Sequence, residues 1–266
     1  MRSDATVQWR HEAWHGELML DTTVVPGRLL AAAAHGTGRV SRHAWTRPLD
    51  GPDRGLWLKV YPAPDGRRAW RAWRMAHALA TAGFAVPEGV LIAQRRREGV
   101  LITRDVGGDA LLEVVAASRG AAKHELLRAL GRTVAALHMS GFVHGDLVPS
   151  NLRVREGAFV LLDHDRTRRS RFLVWWGGRR NLVQLGRFVV PGLTIVDRAR
   201  VLFAYADRRG LSYRARHRLA WWAVRQTIAR RVAVDHLTPE IAARAGFTTL
   251  MRSGGPFDPA GVAERS

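Results

Sequence analysis

Residues 141–151 have the sequence GFVHGDLVPSN, and residues 158–166 continue with AFVLLDHDR. The first segment contains the pattern H-x-D-x-x-x-x-N, which begins at His144. The second segment is an apolar strand that ends at Asp163. This order and spacing are typical of the catalytic loop of kinases, with the metal-binding aspartate at the end of the next strand. Together the two segments predict a protein-kinase-like fold.

Each acidic or amide residue of this pattern has a distinct predicted role. Phosphoryl transfer needs a carboxylate that orients the acceptor hydroxyl and takes its proton, and it needs oxygen ligands for Mg²⁺. We predict Asp146 as the catalytic base and Asn151 and Asp163 as the metal ligands. His144 is predicted at the catalytic loop as a brace rather than as a base. The alternative is a turn-rich hairpin in which Asp and Asn only form turns.

The periodicity of the remaining sequence predicts an α+β chain with two lobes. Residues 24–60 are predicted as strands joined by turns, residues 67–81 as a helix, and VPEGVLIAQ and GVLITRDV as two strands. Helices are predicted over residues 121–140, 194–209 and 213–234. We therefore expect a small β-rich N-lobe over residues 1–105. The mainly helical C-lobe is expected over residues 106–266, with a flexible tail from about residue 252.

Lys59 is the second predicted functional residue. Of the 42 basic residues only Lys59 and Lys123 are lysine, and Lys59 lies inside the apolar segment GLWLKVY. A lysine kept in such a strand indicates a need for a compact ammonium that can reach nucleotide phosphates. We therefore expect Lys59 within about 15 Å of Asp163, the span that a bound triphosphate covers. The alternative is an edge-strand lysine that faces solvent.

A glycine-rich segment, His35–Ser41, is predicted to cover the nucleotide between the first two strands. Glycine lets backbone N–H groups approach phosphate, so Gly36, Gly38 and Ser41 are assigned to nucleotide binding. An ordinary glycine-rich hairpin fits the same residues. Thr103 and Asp105, at the end of the second strand of the pair, complete the predicted ATP-binding set.

Residues 166–180 form a basic segment with six arginines and no acid. It also contains Trp175 and Trp176. Such a segment could hold an anionic sugar acceptor or contact anionic lipid, and a solvated loop is the alternative. The candidate residues for acceptor or membrane contact are Asp165, Arg166, Arg168, Arg169 and Arg171.

The composition limits the classes of protein that remain. The chain has no cysteine, which excludes disulfides and thiolate metal sites. No secretory signal and no apolar run of about 20 residues is visible, so we expect a soluble or peripheral protein, and the lack of cysteine is compatible with a cytoplasmic location. The net charge of +19 points to anionic partners, although a GC-rich coding sequence would also favour arginine. A nucleic-acid-binding module would depend on charge alone, and we expect no nucleic-acid partner.

The segments GFVHGDLVPSNLRV, FVLLDHDRTRRS and NLVQLGRF together resemble the lipopolysaccharide inner-core kinases, which include 3-deoxy-D-manno-octulosonic acid (Kdo) kinases and heptose kinases. The matching residues outside the catalytic loop are Asp165, Arg166, Asn181, Leu182 and Leu185. WLKVY, AGFAVPEG and LITRDV also resemble the N-lobe of that family. The resemblance implies transfer of the ATP γ-phosphoryl group, with Mg²⁺, to a hydroxyl of a lipid-linked Kdo or heptose residue on the cytoplasmic face of the membrane.

Two positions depart from the pattern of the family. His164 replaces the usual phenylalanine after the metal-binding aspartate. The helix after Lys59 has no acidic residue between Gly66 and Gly83, and Ala72 stands about where a glutamate would pair with the lysine. Either another acid substitutes, with Glu88 nearest in sequence, or ATP alone positions Lys59. We favour the second explanation.

Two other functions compete with a carbohydrate kinase. A small-molecule phosphotransferase of the same fold would be expected to have an acidic acceptor pocket, whereas the segment after the catalytic loop is basic. A pseudokinase that binds nucleotide or membrane would fit the missing helix carboxylate, but it would not need Lys59, Asp146, Asn151 and Asp163 together. Neither the sugar nor its hydroxyl can be identified from the sequence.

Overall fold

The computed structural model describes residues 6–19, 24–34, 38–170, 172–186 and 193–235. The chain divides into two compact units. The first unit comprises Met1–Gly107 and Val160–Thr167, and the second comprises Gly108–Phe159 and Arg168–Ser266. The segment that contains Asp163 therefore clusters with the first unit. The tail predicted to be flexible from about residue 252 lies outside the described residues.

The first unit contains one antiparallel sheet and two helices. Its strands are β1 (Thr6–His11), β2 (Trp14–Met19), β3 (Arg39–Val40), β4 (Trp45–Pro48), β5 (Leu56–Tyr61), β6 (Gly89–Arg95) and β7 (Glu98–Arg104), and its helices are α1 (Pro26–Ala34) and α2 (Arg67–Thr81). The strands lie in the order β1-β2-β6-β7-β5-β4-β3. Strand β5 therefore lies inside the sheet, between β4 and β7, and its residues alternate between the two faces.

The second unit is mainly helical. Its helices are α3 (Leu111–Ala117), α4 (Gly120–Met139), α5 (Leu173–Gly186), α6 (Ile195–Arg208) and α7 (Tyr213–Asp235), and its short strands are β8 (Asp109–Ala110), β9 (Phe142–Val143), β10 (Leu152–Arg155) and β12 (Arg168–Arg169). Strand β11 (Ala158–Leu161) runs across the boundary into the first unit. The predicted α+β class, with a β-rich first part and a mainly helical second part, is confirmed. None of the described helices combines the length and the low polarity that a bilayer crossing needs.

One predicted element of the first unit is wrong. Residues 24–60 were expected to form only strands and turns, but Pro26–Ala34 is helix α1. Proline is well suited to the first position of a helix, and the alanines that follow are the strongest helix formers. Leu29 and Leu30 of this helix are buried in an apolar cluster that includes Leu58 of β5. The helix propensity of these residues and the burial of the two leucines both favour a helix at this position.

Helices α4 and α6 pack closely in the second unit, and this contact contains a buried ion pair. A Cβ at Gly131 would lie 2.3 Å from the carbonyl oxygen of Val201, so only glycine allows this approach. Lys123 Nζ lies 2.8 Å from Asp197 Oδ2, and both side chains are nearly buried. Burial alone would raise the pKa of Asp197, but hydrogen bonds from Lys123 and Thr194 outweigh it and hold the pKa at about 2.

Lys123→Met is expected to lower the free energy of unfolding by about 1.5–3 kcal/mol, because it removes the buried ammonium partner of Asp197 and leaves Arg200, whose Nη1 lies 2.7 Å from Asp197 Oδ1, as the remaining cation. Chemical denaturation at pH 7 measures this loss. Arg132→Met, which breaks an exposed ion pair with Glu125 on the same helix, should leave the value nearly unchanged. The folded pKa of Asp197 lies below its unfolded value, so the contribution of the pair is present above pH 4 and is lost as the pH falls towards 2. A deficit that stays constant over this pH range would contradict the assignment.

Candidate active site

Lys59 and Asp163 meet in the first unit. Lys59 lies in β5 opposite Leu101 of β7, and its Nζ is 2.6 Å from Asp163 Oδ1. The same ammonium lies 5.1 Å from the centre of the Tyr61 ring. Asp163 has a backbone φ of +60°, a left-handed conformation that costs a non-glycine residue roughly 1 kcal/mol or more. Such strain persists where the surrounding structure fixes it, and it often marks a functional residue.

Another acid pairs with Lys59, as one of the two sequence-based hypotheses supposed, but it is Asp163 and not Glu88. Lys59 has a carboxylate partner in Asp163, so it does not depend on ATP alone. Glu88 pairs instead with Arg104, with 3.2 Å between Oε2 and Nε. Ala72 is buried in an apolar cluster with Tyr61 and other residues. A glutamate at position 72 would therefore enter this cluster.

Arg68 links helix α2 to the Asp163 segment. Its Nε donates to Asp65 Oδ1 at 2.9 Å, and its Nη1 lies 3.7 Å from Asp165 Oδ2. Burial raises the pKa of Asp165, and the charge of Asp163 raises it further, whereas Lys59 and Arg68 oppose the rise. Asp165 was predicted to contact acceptor or membrane. Because it is buried next to Arg68, we assign it to holding the segment in place.

Asp146 lies in the second unit, in the loop between β9 and β10. The carbonyl of Asp146 accepts a hydrogen bond from Asn151 Nδ2 at 3.0 Å and one from the N–H of Val148 at 2.9 Å. The loop therefore closes on itself through the two residues of the predicted motif. Because Nδ2 of Asn151 donates this bond, its Oδ1 faces away from the Asp146 carbonyl. An amide oxygen is a type of ligand that Mg²⁺ accepts. Asp146 is half-buried, while its neighbour Leu147 is fully buried and anchors the loop.

His144 is also fully buried, and its backbone N–H donates to Asn181 Oδ1 on α5 at 3.1 Å. The sequence predicts His144 as part of the catalytic loop, and the structure places it, buried, two residues before Asp146. Asn181 was noticed only through the family resemblance, and Gln184, which contacts the same loop, was missed. A signal was present in the sequence: two amide side chains three residues apart lie among leucines in NLVQLG, and buried amides require partners.

The predicted glycine-rich loop is not where the sequence analysis put it. Its described part, residues 38–41, follows α1 and contains β3, because a helix replaces the expected first strand. A Cβ at Gly38 would lie 2.6 Å from the carbonyl oxygen of Thr46, so Gly38 serves close packing against β4. Ser41 Oγ donates to the carbonyl of Ala44 at 2.8 Å and closes the turn between β3 and β4. Gly36 lies outside the described residues.

Thr103 and Asp105 lie at the end of β7. Thr103 pairs with Trp57 of β5, two residues from Lys59, so its side chain shares the face of the sheet that carries Lys59. The N–H of Asp105 donates to the carbonyl of Gly55 at 2.7 Å, and its Oδ1 accepts from the N–H of Gly107. These two contacts of Asp105 secure the turn that follows the strand.

The basic segment contains a strand and the start of a helix rather than one long loop. Arg168 and Arg169 form β12, pair with Val143 and Phe142 of β9, and are exposed. Arg166 is exposed as well. Arg171 and the side chains of Trp175 and Trp176 lie outside the described part of the structure. Helix α5 begins at Leu173, where the charge of the segment had suggested a loop.

Comparison with known proteins places this site in a family. The sequence profile of the lipopolysaccharide kinase (Kdo/WaaP) family matches residues 60–205, more than half of the chain. The matched range includes Asp146, Asn151 and Asp163 and begins directly after Lys59.

The chain is also similar over short lengths to curated proteins. It is 40% identical over 84 residues to a probable bifunctional tRNA threonylcarbamoyladenosine biosynthesis protein of Methanoculleus marisnigri and 39% identical over 83 residues to that of Natronomonas pharaonis. These matches cover 29% of this chain in each case, and 15% and 16% of the two relatives. The chain thus spans about one sixth of the length of these relatives.

Two solved structures of the bifunctional kinase-methyltransferase WbdD are similar in part. They are 18% identical to this chain, with TM-scores of 0.43 and 0.44, and the second contains the kinase inhibitor LY294002. The similarity covers 66% and 70% of this chain and 46% and 53% of those chains.

Arg68→Ala should destabilise the first unit by about 1–3 kcal/mol, because it removes a cation from a buried carboxylate and from Asp65. Urea denaturation of the purified chain measures this change. Arg71→Ala is the matched control, since Arg71 is exposed on the same helix, and it should change the free energy of unfolding by less than about 0.5 kcal/mol. Equal effects of the two substitutions would mean that Arg68 does not hold the Asp163 segment.

Proposed function

Because the chain belongs to the lipopolysaccharide kinase (Kdo/WaaP) family, we propose that it transfers the γ-phosphoryl group of ATP to a hydroxyl of a Kdo or heptose residue in the lipopolysaccharide inner core. Membership of this family supports a sugar kinase in general. The identity of the acceptor, a lipid-linked Kdo or heptose residue, is the part of the proposal that goes beyond family membership. The observation that carries the proposal is the contact between Lys59 Nζ and Asp163 Oδ1, which joins the strand lysine to the motif aspartate.

Each unit, taken by itself, contains residues whose chemistry fits MgATP. Lys59 supplies a half-buried ammonium for phosphate oxygens, and Asp163 supplies a carboxylate of the kind that binds Mg²⁺ together with phosphate. Asn151 offers an amide oxygen of the same ligand class. Mg²⁺, when bound, neutralises charge on the phosphates. Thr103 shares the face of Lys59 and stays a candidate for nucleotide contact.

Asp146 has the role of base in this proposal. Its carboxylate orients the acceptor hydroxyl and accepts its proton as the new O–P bond forms to the γ-phosphorus. The bond between that phosphorus and the β,γ-bridging oxygen breaks, and ADP leaves with the bond electrons. His144 does not take part in this proton transfer, because it is fully buried behind the loop.

An acceptor panel tests the proposed function. Purified chain is incubated with γ-labelled ATP and Mg²⁺ and with a Kdo-bearing lipid, a heptose-bearing inner-core lipid, an aminoglycoside or no acceptor. We expect label on one of the two inner-core lipids. Label on the aminoglycoside alone would favour the small-molecule phosphotransferase. ATP binding without any transfer would favour a pseudokinase.

Asp146→Asn and Asp163→Asn should have different effects. Asp146→Asn removes the base and should slow transfer by ~10²–10⁴ while the affinity for MgATP stays nearly unchanged. Asp163→Asn removes a metal ligand and should weaken Mg²⁺-dependent ATP binding instead. Calorimetry measures the affinity for MgATP, and initial rates measure phosphoryl transfer, so the two effects can be separated. Asp109→Asn, at an exposed aspartate of the second unit, is the control. Equal loss of ATP affinity in both variants would contradict this division of roles.

Arg168 and Arg169 are expected to contribute to association with the acceptor or with an anionic membrane at the cytoplasmic face. Both are exposed on β12, and cationic side chains near such a surface contribute roughly 1 kcal/mol each. Changing both to Gln should reduce sedimentation with anionic vesicles and lower its dependence on salt. The control changes Arg96 and Arg97, exposed in the turn between β6 and β7, to Gln and removes the same charge. If both double variants sediment and react alike, Arg168 and Arg169 have no special role.

A further inference from the structure

Gln184 of α5 contacts three consecutive residues of the catalytic loop. Its Nε2 donates to the carbonyl of Gly145 at 3.0 Å and to Asp146 Oδ1 at 3.3 Å. Its Oε1 accepts from the N–H of Leu147 at 3.2 Å. The side chain is only 7% exposed, so these bonds form away from bulk water. One amide thus contacts the backbone on both sides of Asp146 and the Asp146 carboxylate itself.

The orientation of the Gln184 amide is determined by its partners. The N–H of Leu147 is a donor, so the atom that faces it must be the oxygen Oε1. The nitrogen Nε2 then faces Gly145 and Asp146, where it meets two acceptors. A flipped amide would place two donors together at Leu147 and two acceptors together at Gly145. The contact with Asp146 is therefore a donated hydrogen bond.

A second amide fixes Gln184 in turn. Asn181 Nδ2 donates to Gln184 Oε1 at 2.9 Å, and Asn181 Oδ1 accepts from the N–H of His144. Oδ1 also lies 3.1 Å from His138 Nε2, and His138 Nδ1 lies 3.0 Å from the Tyr205 hydroxyl. Since Oδ1 is an acceptor, Nε2 of His138 carries the proton, and Nδ1 accepts from Tyr205. Burial lowers the pKa of His138 to about 4, which agrees with a neutral ring near pH 7.

We propose that Gln184 is a positioning residue for phosphoryl transfer: it sets the direction of the Asp146 carboxylate, and the buried hydrogen-bond chain through Asn181, His138 and Tyr205 keeps its amide in place. This inference depends on the proposed function, because the direction of the Asp146 carboxylate affects the rate of transfer only if Asp146 serves as the base. Displacement of a base by about 1 Å is enough to reduce a rate by ~10²-fold. Gln184 touches neither ATP nor acceptor in this proposal, so it acts through Asp146.

Two substitutions separate this role from simple packing. Gln184→Met keeps the approximate volume and loses every hydrogen bond of the amide. Gln184→Glu keeps the shape and the acceptor for Leu147 but loses the donor to Asp146. We expect both variants to lower kcat by roughly 10- to 100-fold with an unchanged KM for ATP. A packing role predicts that Gln184→Met, which keeps the packed volume, retains most of the kcat, and that result would overturn the proposal. Gln226→Met, at an exposed glutamine of α7, is the control.

A double-substitution cycle tests whether Gln184 acts through Asp146. When the carboxylate is already replaced in Asp146→Asn, adding Gln184→Met should lower kcat by less than about threefold, because sites that act as a unit are not additive. A further tenfold loss would show an effect independent of Asp146 and would contradict the proposal.

A measurement without turnover keeps this inference distinct from the proposed function. Hydrogen exchange at the amide of Leu147 should be at least tenfold faster in Gln184→Met than in the wild-type chain, whereas the core amides of α4 should be unaffected. If the wild-type chain phosphorylates no inner-core lipid but the Leu147 amide loses protection, the sugar-kinase assignment fails and the support of the loop by Gln184 stands. Unchanged protection of Leu147 would overturn the positioning role whatever the acceptor.

Discussion

The ion pair between Lys59 and Asp163 constrains most of the first unit. Lys59 lies inside the sheet with its ammonium half-buried, and a charge in that position needs a counter-charge. Helix α2 offers arginines and no carboxylate, so the counter-charge comes from the segment after β11. To supply it, Asp163 adopts a left-handed backbone and Asp165 is buried next to it. The buried Asp165 then needs a cation of its own, and Arg68 provides it from α2. In the family pattern the helix supplies an acid that pairs with the strand lysine. Here helix α2 supplies a cation, Arg68, that pairs with an acid of the segment after β11.

The two lysines of the chain have the same structural situation. Lys59 and Lys123 each place Nζ within 2.8 Å of an aspartate oxygen, and each lies in a largely buried position. A compact ammonium on a flexible stem fits such a site, whereas the planar guanidinium requires room for five donors. The exposed arginines of α2 and of the β6–β7 turn face solvent, where the larger guanidinium group has enough room. Lysine is therefore well suited to both positions, although Arg198 of α6 shows that a guanidinium can be buried to the same extent as Lys123.

The sequence predicted those parts of the fold that depend on local periodicity and spacing. Helices α2 and α4, the pair β6 and β7, and the Asp146–Asn151 loop follow from hydrophobic patterns and from one motif. Helix α1 was missed because the glycines after it suggested a hairpin, and α5 was missed because its charges suggested a loop. The sequence predicted that Lys59 and Asp163 lie within about 15 Å of each other, and the structure places them in contact. Their direct ion pair could not be predicted, since the two residues are 104 positions apart and only the fold brings them together. Gln184 was missed because a buried amide reveals its partners only in three dimensions.

The two units hold their functional carboxylates in chemically different ways, and the difference suits the proposed roles. Asp163 is paired with the ammonium of Lys59, and Asp165 lies 3.7 Å from the guanidinium of Arg68, which opposes the rise of its pKa that burial and Asp163 cause. Asp146 instead accepts a hydrogen bond from the neutral amide of Gln184. A carboxylate that pairs directly with a cation becomes a weaker base, whereas an amide can aim it without cancelling its charge. In a chain with a net charge of +19, composition alone would favour an arginine beside any acid. Gln184 occupies that position instead, and a neutral amide there suits the role proposed for Asp146.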